Sequence, residues 1–447
     1  MNFTTAEIAH LLDTGHHGPT CGVERVVIDP NDVRVGAGQL FVASAHPPPL
    51  GDTTLVLEDD IALRVPYLTE RSWVGGTAVN GPSTEAIVRA MAGDARGRPA
   101  DGPRVGVLGA VAPWATAALI RAGLSDTTEH RLPPPGPPDL REPPGTERFR
   151  LPLALLNHPD DTPLAVVLNR RHKGCTGTDA ALLDPTALVI TDLGDRHLAM
   201  VGPTGAITSA REVLDRVDRD ATLVMPEAVA DALREEAGFE GTAFPALSIF
   251  GVRPGRSAGN TDAGMVHVVG PWGELAIGVG RDGGALALPV GAAVAVGLAA
   301  GRPVESVRSG VEAAAQTLAR SMATRLAEGP VVWDRSDATS FGDVSEAIAA
   351  LAERSAPAKF LVLGPLDDGP TVTDRLHARL GALATHHQIV VRSAEAWGSG
   401  FSPFEHPQNE VDDLAAAGPG AVILVAGGGP ELRSVRKRLL DRARVTT

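Results

Sequence analysis

Apolar residues in this chain fall into short unbroken runs separated by stretches of helical period, an alternation that predicts an α/β protein built on parallel sheets. Val105–Leu108, Leu164–Leu168, Ala187–Thr191 and Thr222–Met225 are strand-like, and the first three carry the consecutive apolar side chains of strands covered on both faces. Trp114–Ala122 and Val290–Ala300 are helix-like, the second made almost wholly of small residues, with the run GMVHVVG lying ahead of it. The first hundred residues hold an amphipathic segment, Thr5–Leu12, two strand-like runs, Glu24–Ile28 and Gln39–Ser44, and a helix-like stretch, Thr84–Gly93. After Gly329 the alternation resumes with VVWD, the helix-like Val344–Glu353, then KFLVLG and AVILVAGGG.

Breaks in this pattern divide the chain. The stretch ARGRPADGP at 95–103 reads as a linker, since its Gly and Pro continue neither helix nor strand. It separates a unit over 1–100 from a second over 101–328, and a third spans 329–447. With 447 residues the chain exceeds a single core, consistent with three units. The proline-rich 132–145 reads as an extended surface insert within the second.

Composition narrows the function classes. Aromatic residues make up only 4% of the chain, so Ala, Val and Leu must fill the cores. A net charge of −14 without a basic stripe argues against nucleic acid as a partner, because phosphate binding needs clustered Lys and Arg. No apolar stretch approaches the roughly 20 residues of a membrane span, and the first residues lack a basic, then apolar, leader pattern. A cytoplasmic protein with no membrane partner is expected. Cys21 and Cys175 lack zinc or redox spacing, and the adjacent pairs His16-His17 and His386-His387 project to different faces, so none is assigned chemistry.

The strand–loop–helix opening of the second unit, Val105–Leu108, GAVAP and Trp114–Ala122, is a nucleotide-type layout. Together with GVERVVIDPNDVRVGAGQLFVAS, LPLALLNHPDDTPLAVV, ALVITDLGDRHL, KFLVLGPLDDG and AVILVAGGGPEL, it resembles the Mur ligases, above all their D-alanyl-D-alanine-adding (MurF-type) branch, over nearly the whole chain. The resemblance implies an N-terminal substrate domain, a central ATPase-like domain of P-loop type and a Rossmann-like C-terminal domain. It also implies an ATP-dependent amide ligase that activates a carboxylate as an acyl phosphate with magnesium.

Position by position, the groups that the resemblance calls for are replaced. The family loop GSvGKTTT aligns with Gly109, Ala110, Val111, Ala112, Pro113, Trp114, Ala115 and Thr116. Pro113 stands for the phosphate lysine and removes a backbone N–H as well; Trp114 stands for the magnesium hydroxyl, leaving Thr116 as the remaining hydroxyl. Leu168 takes the place of a metal glutamate, and an alkyl group cannot coordinate magnesium. Arg211 takes the place of a lysine that is carbamylated in the family, which a guanidinium cannot be. Ala426 replaces a C-terminal lysine. Only three lysines occur in the chain, Lys173, Lys359 and Lys437, and none falls at a family position. His197 matches a metal-contacting histidine, Asp192 replaces an asparagine, and Asp334 is what survives of a nucleotide-contacting segment. In the first unit, Asp29-Pro30-Asn31 and HPPPLGD depart from the family's UDP-binding pattern.

Two expectations follow. The first is a non-catalytic Mur-ligase-like partner or binding scaffold of a specialised natural-product pathway, without ATP, magnesium or any other cofactor. Its partner would be an active homologue or pathway enzyme, with a small-molecule or nucleotide-linked intermediate as ligand. The second is an active amide-forming ligase or repurposed enzyme with an arginine-built site. In that case Arg170, Arg171, Arg196 and Arg211 would hold phosphate or substrate, with His197 or Asp192 as the acid–base group.

Overall fold

A computed structural model describes residues 84–96, 102–109, 112–125, 150–158, 162–168, 175–193, 205–239, 246–256, 264–280, 283–326, 329–336, 340–366, 370–393 and 407–444. It also describes short pieces at 3–4, 7, 10–11, 22–23, 25–27, 39–43, 67–69, 244, 338 and 402–403. The insert at 132–145, most of Thr5–Leu12, His16-His17 and Cys21 lie outside the described residues.

Near the N-terminus β1 (Phe3–Thr4) pairs antiparallel with β2 (Gly22–Val23), while β3 (Arg25–Val27), β4 (Gln39–Ala43) and β5 (Tyr67–Thr69) form a parallel three-stranded sheet. Helix α1 (Thr84–Arg96) follows. It runs past Gly93 into the stretch expected to be linker, because Asp94, Ala95 and Arg96 keep a helix going and only the later Gly and Pro stop it.

The central unit is a seven-stranded sheet. Its chain order is β6 (Arg104–Leu108), α2 (Pro113–Leu124), α3 (Arg150–Asn157), β7 (Leu164–Val167), α4 (Cys175–Leu183), β8 (Ala187–Ile190), α5 (Gly205–Leu214), β9 (Thr222–Pro226) and α6 (Glu227–Ala237). Then come β10 (Leu247–Arg256), β11 (Gly264–Gly270), β12 (Gly273–Gly278), a 3-10 turn over Gly283–Leu286, α7 (Ala287–Ala299) and α8 (Val304–Met322). The spatial order is β12-β11-β10-β9-β8-β6-β7, parallel from β7 to β10 and antiparallel in the β11–β12 ribbon. The apolar pattern does not mark β10, whose Gly251, Pro254 and Gly255 interrupt it.

Small residues do in this core what aromatics do elsewhere. Helix α7 is buried along most of its length and packs on α2 and α8. A Cβ on Gly123 would fall 3.2 Å from the Ala293 carbonyl, and one on Gly310 would fall 2.6 Å from the Ala122 carbonyl, so glycine is what lets these backbones approach. Helix α7 begins at Ala287, ahead of the expected Val290, because Pro289 falls in its first turn, where proline costs no hydrogen bond.

The C-terminal sheet has the order β13-β14-β18-β15-β16-β17. Its members are β13 (Ala323–Arg325), β14 (Val331–Arg335), β15 (Lys359–Leu363), β16 (Val390–Ser393), β17 (Ser402–Pro403) and β18 (Val422–Ala426), all parallel except the antiparallel edge strand β13. The connecting helices are α9 (Phe341–Ala352), α10 (Pro370–His386), α11 (Pro407–Ala415) and α12 (Pro430–Arg444). Helix α9 starts at Phe341, three residues before the expected Val344. Its hydroxyl cap, Ser340, accepts a hydrogen bond from Asp343 N and so fixes the first turn. Among the described residues no helix is long and apolar enough to cross a membrane.

Candidate functional site

Strand β6 is flanked by β7 on one side and β8 on the other, so chain order reverses there; in open parallel sheets the crevice beyond the strand ends at such a reversal is where ligands bind. The residues that meet at this reversal come from the ends of β6 and β8, the start of α2 and, from the C-terminal unit, the start of α9.

At the end of β6 the chain packs too closely for a side chain. A Cβ on Gly109 would fall 2.7 Å from Asp192 Oδ2 and against the Thr191 hydroxyl. That hydroxyl donates to Asp192 Oδ2 at 2.9 Å, and Thr191 N donates to the Leu108 carbonyl at 2.9 Å, holding the β8 end against β6. The loop then reaches Ala112, which sits in the left-handed region at φ 41, ψ 47 and serves as the N-cap of α2 without a side-chain cap. An alanine there costs on the order of 1 kcal/mol. Pro113 occupies the first helical position and is buried. Thr116, the one hydroxyl that the sequence leaves in the loop, is fully buried and donates to the Ala112 carbonyl at 3.1 Å. Its hydrogen is therefore spent on its own helix.

The Ala112 amide donates to a side chain 231 positions away, Asp343 Oδ1 at 2.9 Å, in a buried contact. The other oxygen of that carboxylate, Oδ2, accepts from the Ser340 hydroxyl at 2.8 Å, while Asp343 N donates back to Ser340 Oγ at 3.2 Å. Asp343 is thus both the N3 residue bonded to the Ser340 cap of α9 and the acceptor for the α2 end. One turn on, Glu346 Oε2 is buried without a hydrogen-bond partner among the described residues. Burial drives the Glu346 carboxyl pKa up to about 7; Arg335 opposes the rise, and Asp343 and Asp192 add to it. Arg335, at the end of β14, is itself 1% exposed and supplies the positive charge on this side.

The other positions singled out by sequence are dispersed. Leu168 is 2% exposed and packs in a cluster with Leu108, Leu183, Leu188 and Ile190. Arg211 is exposed in the last turn of α5. Asp334 Oδ2 accepts from Arg436 Nε and Nη2, each at 2.7 Å, and Oδ1 accepts from Ser336 N at 3.2 Å, so it ties α12 to the end of β14. Trp114 is half-buried beside Pro113, and Ala426 lies in the core of β18. Arg170, Arg171, Arg196 and His197 lie outside the described residues, as do Ala110 and Val111. Among the described residues no group of three or more His, Cys, Asp or Glu is placed to hold a metal ion.

Sequence reasoning missed Asp343 and Glu346. A signal was present, since Ser340 followed three residues later by Asp343 is a helix-start signature and Glu346 shares the face of Asp343 one turn further. Nothing local, however, says that this helix end meets Ala112.

No family model and no curated relative matches this chain. Solved structures do. The chain is similar to MurF from Acinetobacter baumannii, at TM-score 0.74 and 14% identity, with 99% of both chains covered. It is similar to the MurF ligase from Thermotoga maritima solved with ADP, at TM-score 0.70 and 17% identity, over 95% of this chain and 99% of that one. A pseudomurein peptide ligase type C from Methanothermus fervidus matches at TM-score 0.55 and 11% identity, over 90% and 86%. The chain has the Mur-ligase fold along its length.

Proposed function

We propose that this protein is a non-catalytic member of the Mur-ligase fold, a cytoplasmic partner or binding scaffold in a specialised natural-product pathway, working beside an active homologue or pathway enzyme on a small-molecule or nucleotide-linked intermediate. The observation that carries the reading is the Asp343 carboxylate on the Ala112 amide, at the loop where a ligase of this fold would hold phosphate. A carboxylate in that place occupies a donor and repels a triphosphate; Asp192 extends the negative charge, and Glu346 adds to it as pH rises through about 7. Pro113 has no N–H to offer, Thr116 has spent its hydroxyl, and Leu168 presents methyl groups where a magnesium ligand would be needed. These residues do not fit ATP and magnesium. The pathway assignment rests on a simpler consideration, that a housekeeping ligase could not forgo all of these groups together.

Calorimetric titration with ATP and magnesium is the direct test. The expected dissociation constant is weaker than about 1 mM, equivalent to less than ~4 kcal/mol of binding. A magnesium-dependent constant in the low micromolar range would refute the reading.

Pro113→Lys alone should leave ATP hydrolysis undetectable, because the added charge repairs neither the missing magnesium ligand nor the acidic crevice. Turnover by that single variant would mean that the metal ligands lie elsewhere than at the positions aligned here.

A further inference from the structure

We infer that Asp343 is an internal anion for the amino end of α2, latching the C-terminal unit closed over the switch point of the central sheet so that the two units hold together with no ligand between them. Four observations support this. The Ala112 N–H lies at the positive end of the α2 dipole, where an anion is favoured, and it is Asp343 of the C-terminal unit that fills the place. The carboxylate does not swing, since Ser340 holds its second oxygen. Both partners are 1% exposed, which makes the hydrogen bond a charge-assisted one out of contact with water. One apolar cluster runs from Ala112 and Ala115 through to Ala338, Val344 and Ala347, and α9 packs also on the 3-10 turn Gly283–Leu286, so the closure has an apolar bed beneath the polar contact. The inference shares the Asp343–Ala112 contact with the functional proposal and deepens it, adding that this contact holds the two units closed.

The test uses the full chain and reads amide hydrogen exchange at Ala112 together with the radius of gyration in solution scattering. Asp343→Ala should speed exchange at Ala112 by about ten- to a hundred-fold, the weight of a hydrogen bond to a charged group, and enlarge the particle. Ser340→Ala removes the α9 cap and one hold on the Asp343 carboxylate while keeping its charge, and should speed exchange at Ala112 distinctly less than Asp343→Ala does. Asp343→Asn keeps an acceptor without the charge and should fall between the two; it carries the test if the alanine variant does not fold. Unchanged exchange and scattering in a folded Asp343→Ala or Asp343→Asn protein would overturn the latch. So would equal opening in Ser340→Ala, which would assign the effect to helix capping. The functional proposal is read separately, by ATP titration of the wild-type protein: tight magnesium-dependent binding overturns that proposal, whereas unchanged exchange and scattering overturn the latch whatever the ATP affinity.

Discussion

Leu168→Glu should destabilise the protein by about 3–5 kcal/mol at pH 8, the cost of an uncompensated buried charge added to a lost core leucine. Leu168 sits at the end of β7 with its backbone amide bonded to the Val107 carbonyl at 2.8 Å, and its side chain packs among Leu183, Leu188 and Ile190. The Mur-ligase resemblance implies glutamate at this position, so this substitution asks whether the position faces a polar crevice. The cost should shrink in acid. A buried glutamate has a folded pKa above its unfolded value of about 4.3, so the penalty is small below that value and grows as pH rises to the folded one. Urea unfolding at pH 5 and pH 8 reads both. A loss under about 1 kcal/mol at pH 8 would place residue 168 at a hydrated site able to hold a cation, and would weaken the non-catalytic reading.

The second large effect has the opposite sign. Glu346→Gln should stabilise the protein at pH 8 by about 3 kcal/mol, because each pKa unit is worth about 1.4 kcal/mol and the native carboxyl is held near 7 against an ordinary 4.5. The sign follows from linkage. A carboxyl whose folded pKa is raised contributes no penalty below its unfolded pKa; the penalty accumulates from about pH 4.5 upward and levels off above about pH 7. Wild type should therefore lose stability across that window while the glutamine variant keeps it, and the two should converge near pH 4. The cause is first burial, then the neighbouring carboxylates of Asp343 and Asp192, with Arg335 offsetting part of both. Parallel stability curves for the two proteins from pH 4 to pH 8 would show that Glu346 is hydrated and that the crevice is not the low-dielectric place described here.

These two residues mark where reading the sequence stops. The strands β6, β7, β8 and β18 are legible from their unbroken apolar runs, because a strand covered on both faces needs apolar side chains at every position. The residue types at Pro113, Leu168, Arg211 and Ala426 are legible too, and the expectation that they stand for the ligases' lysines and metal ligand comes from likeness to a known pattern, not from the structure. Where Leu168 points is a different matter: its burial follows from how the next two elements, α4 and β8, fold back beside it, which the run of apolar residues does not specify.

The sequence by itself determined the α/β class, the likeness of the whole chain to the Mur ligases and the scarcity of lysine, three in all, because periodicity and residue chemistry are local properties. Only the tertiary structure decided what stands in the crevice. Ala112 and Asp343 are 231 positions apart, and Asp334 and Arg436 are 102 apart. No period of 2 or 3.6 residues encodes such pairings: the first exists only once the two sheets lie against each other, the second only once α12 has packed on β14. The structure likewise shows the Thr116 hydroxyl bonded to the start of its own helix and Asp334 bonded to Arg436 of α12. It also raised Glu346, unremarkable in the sequence, to a carboxyl that titrates near neutrality. The physical reason is the same in each case: a polar group's chemistry is set by the partners and the water around it, and both are fixed by contacts between distant segments.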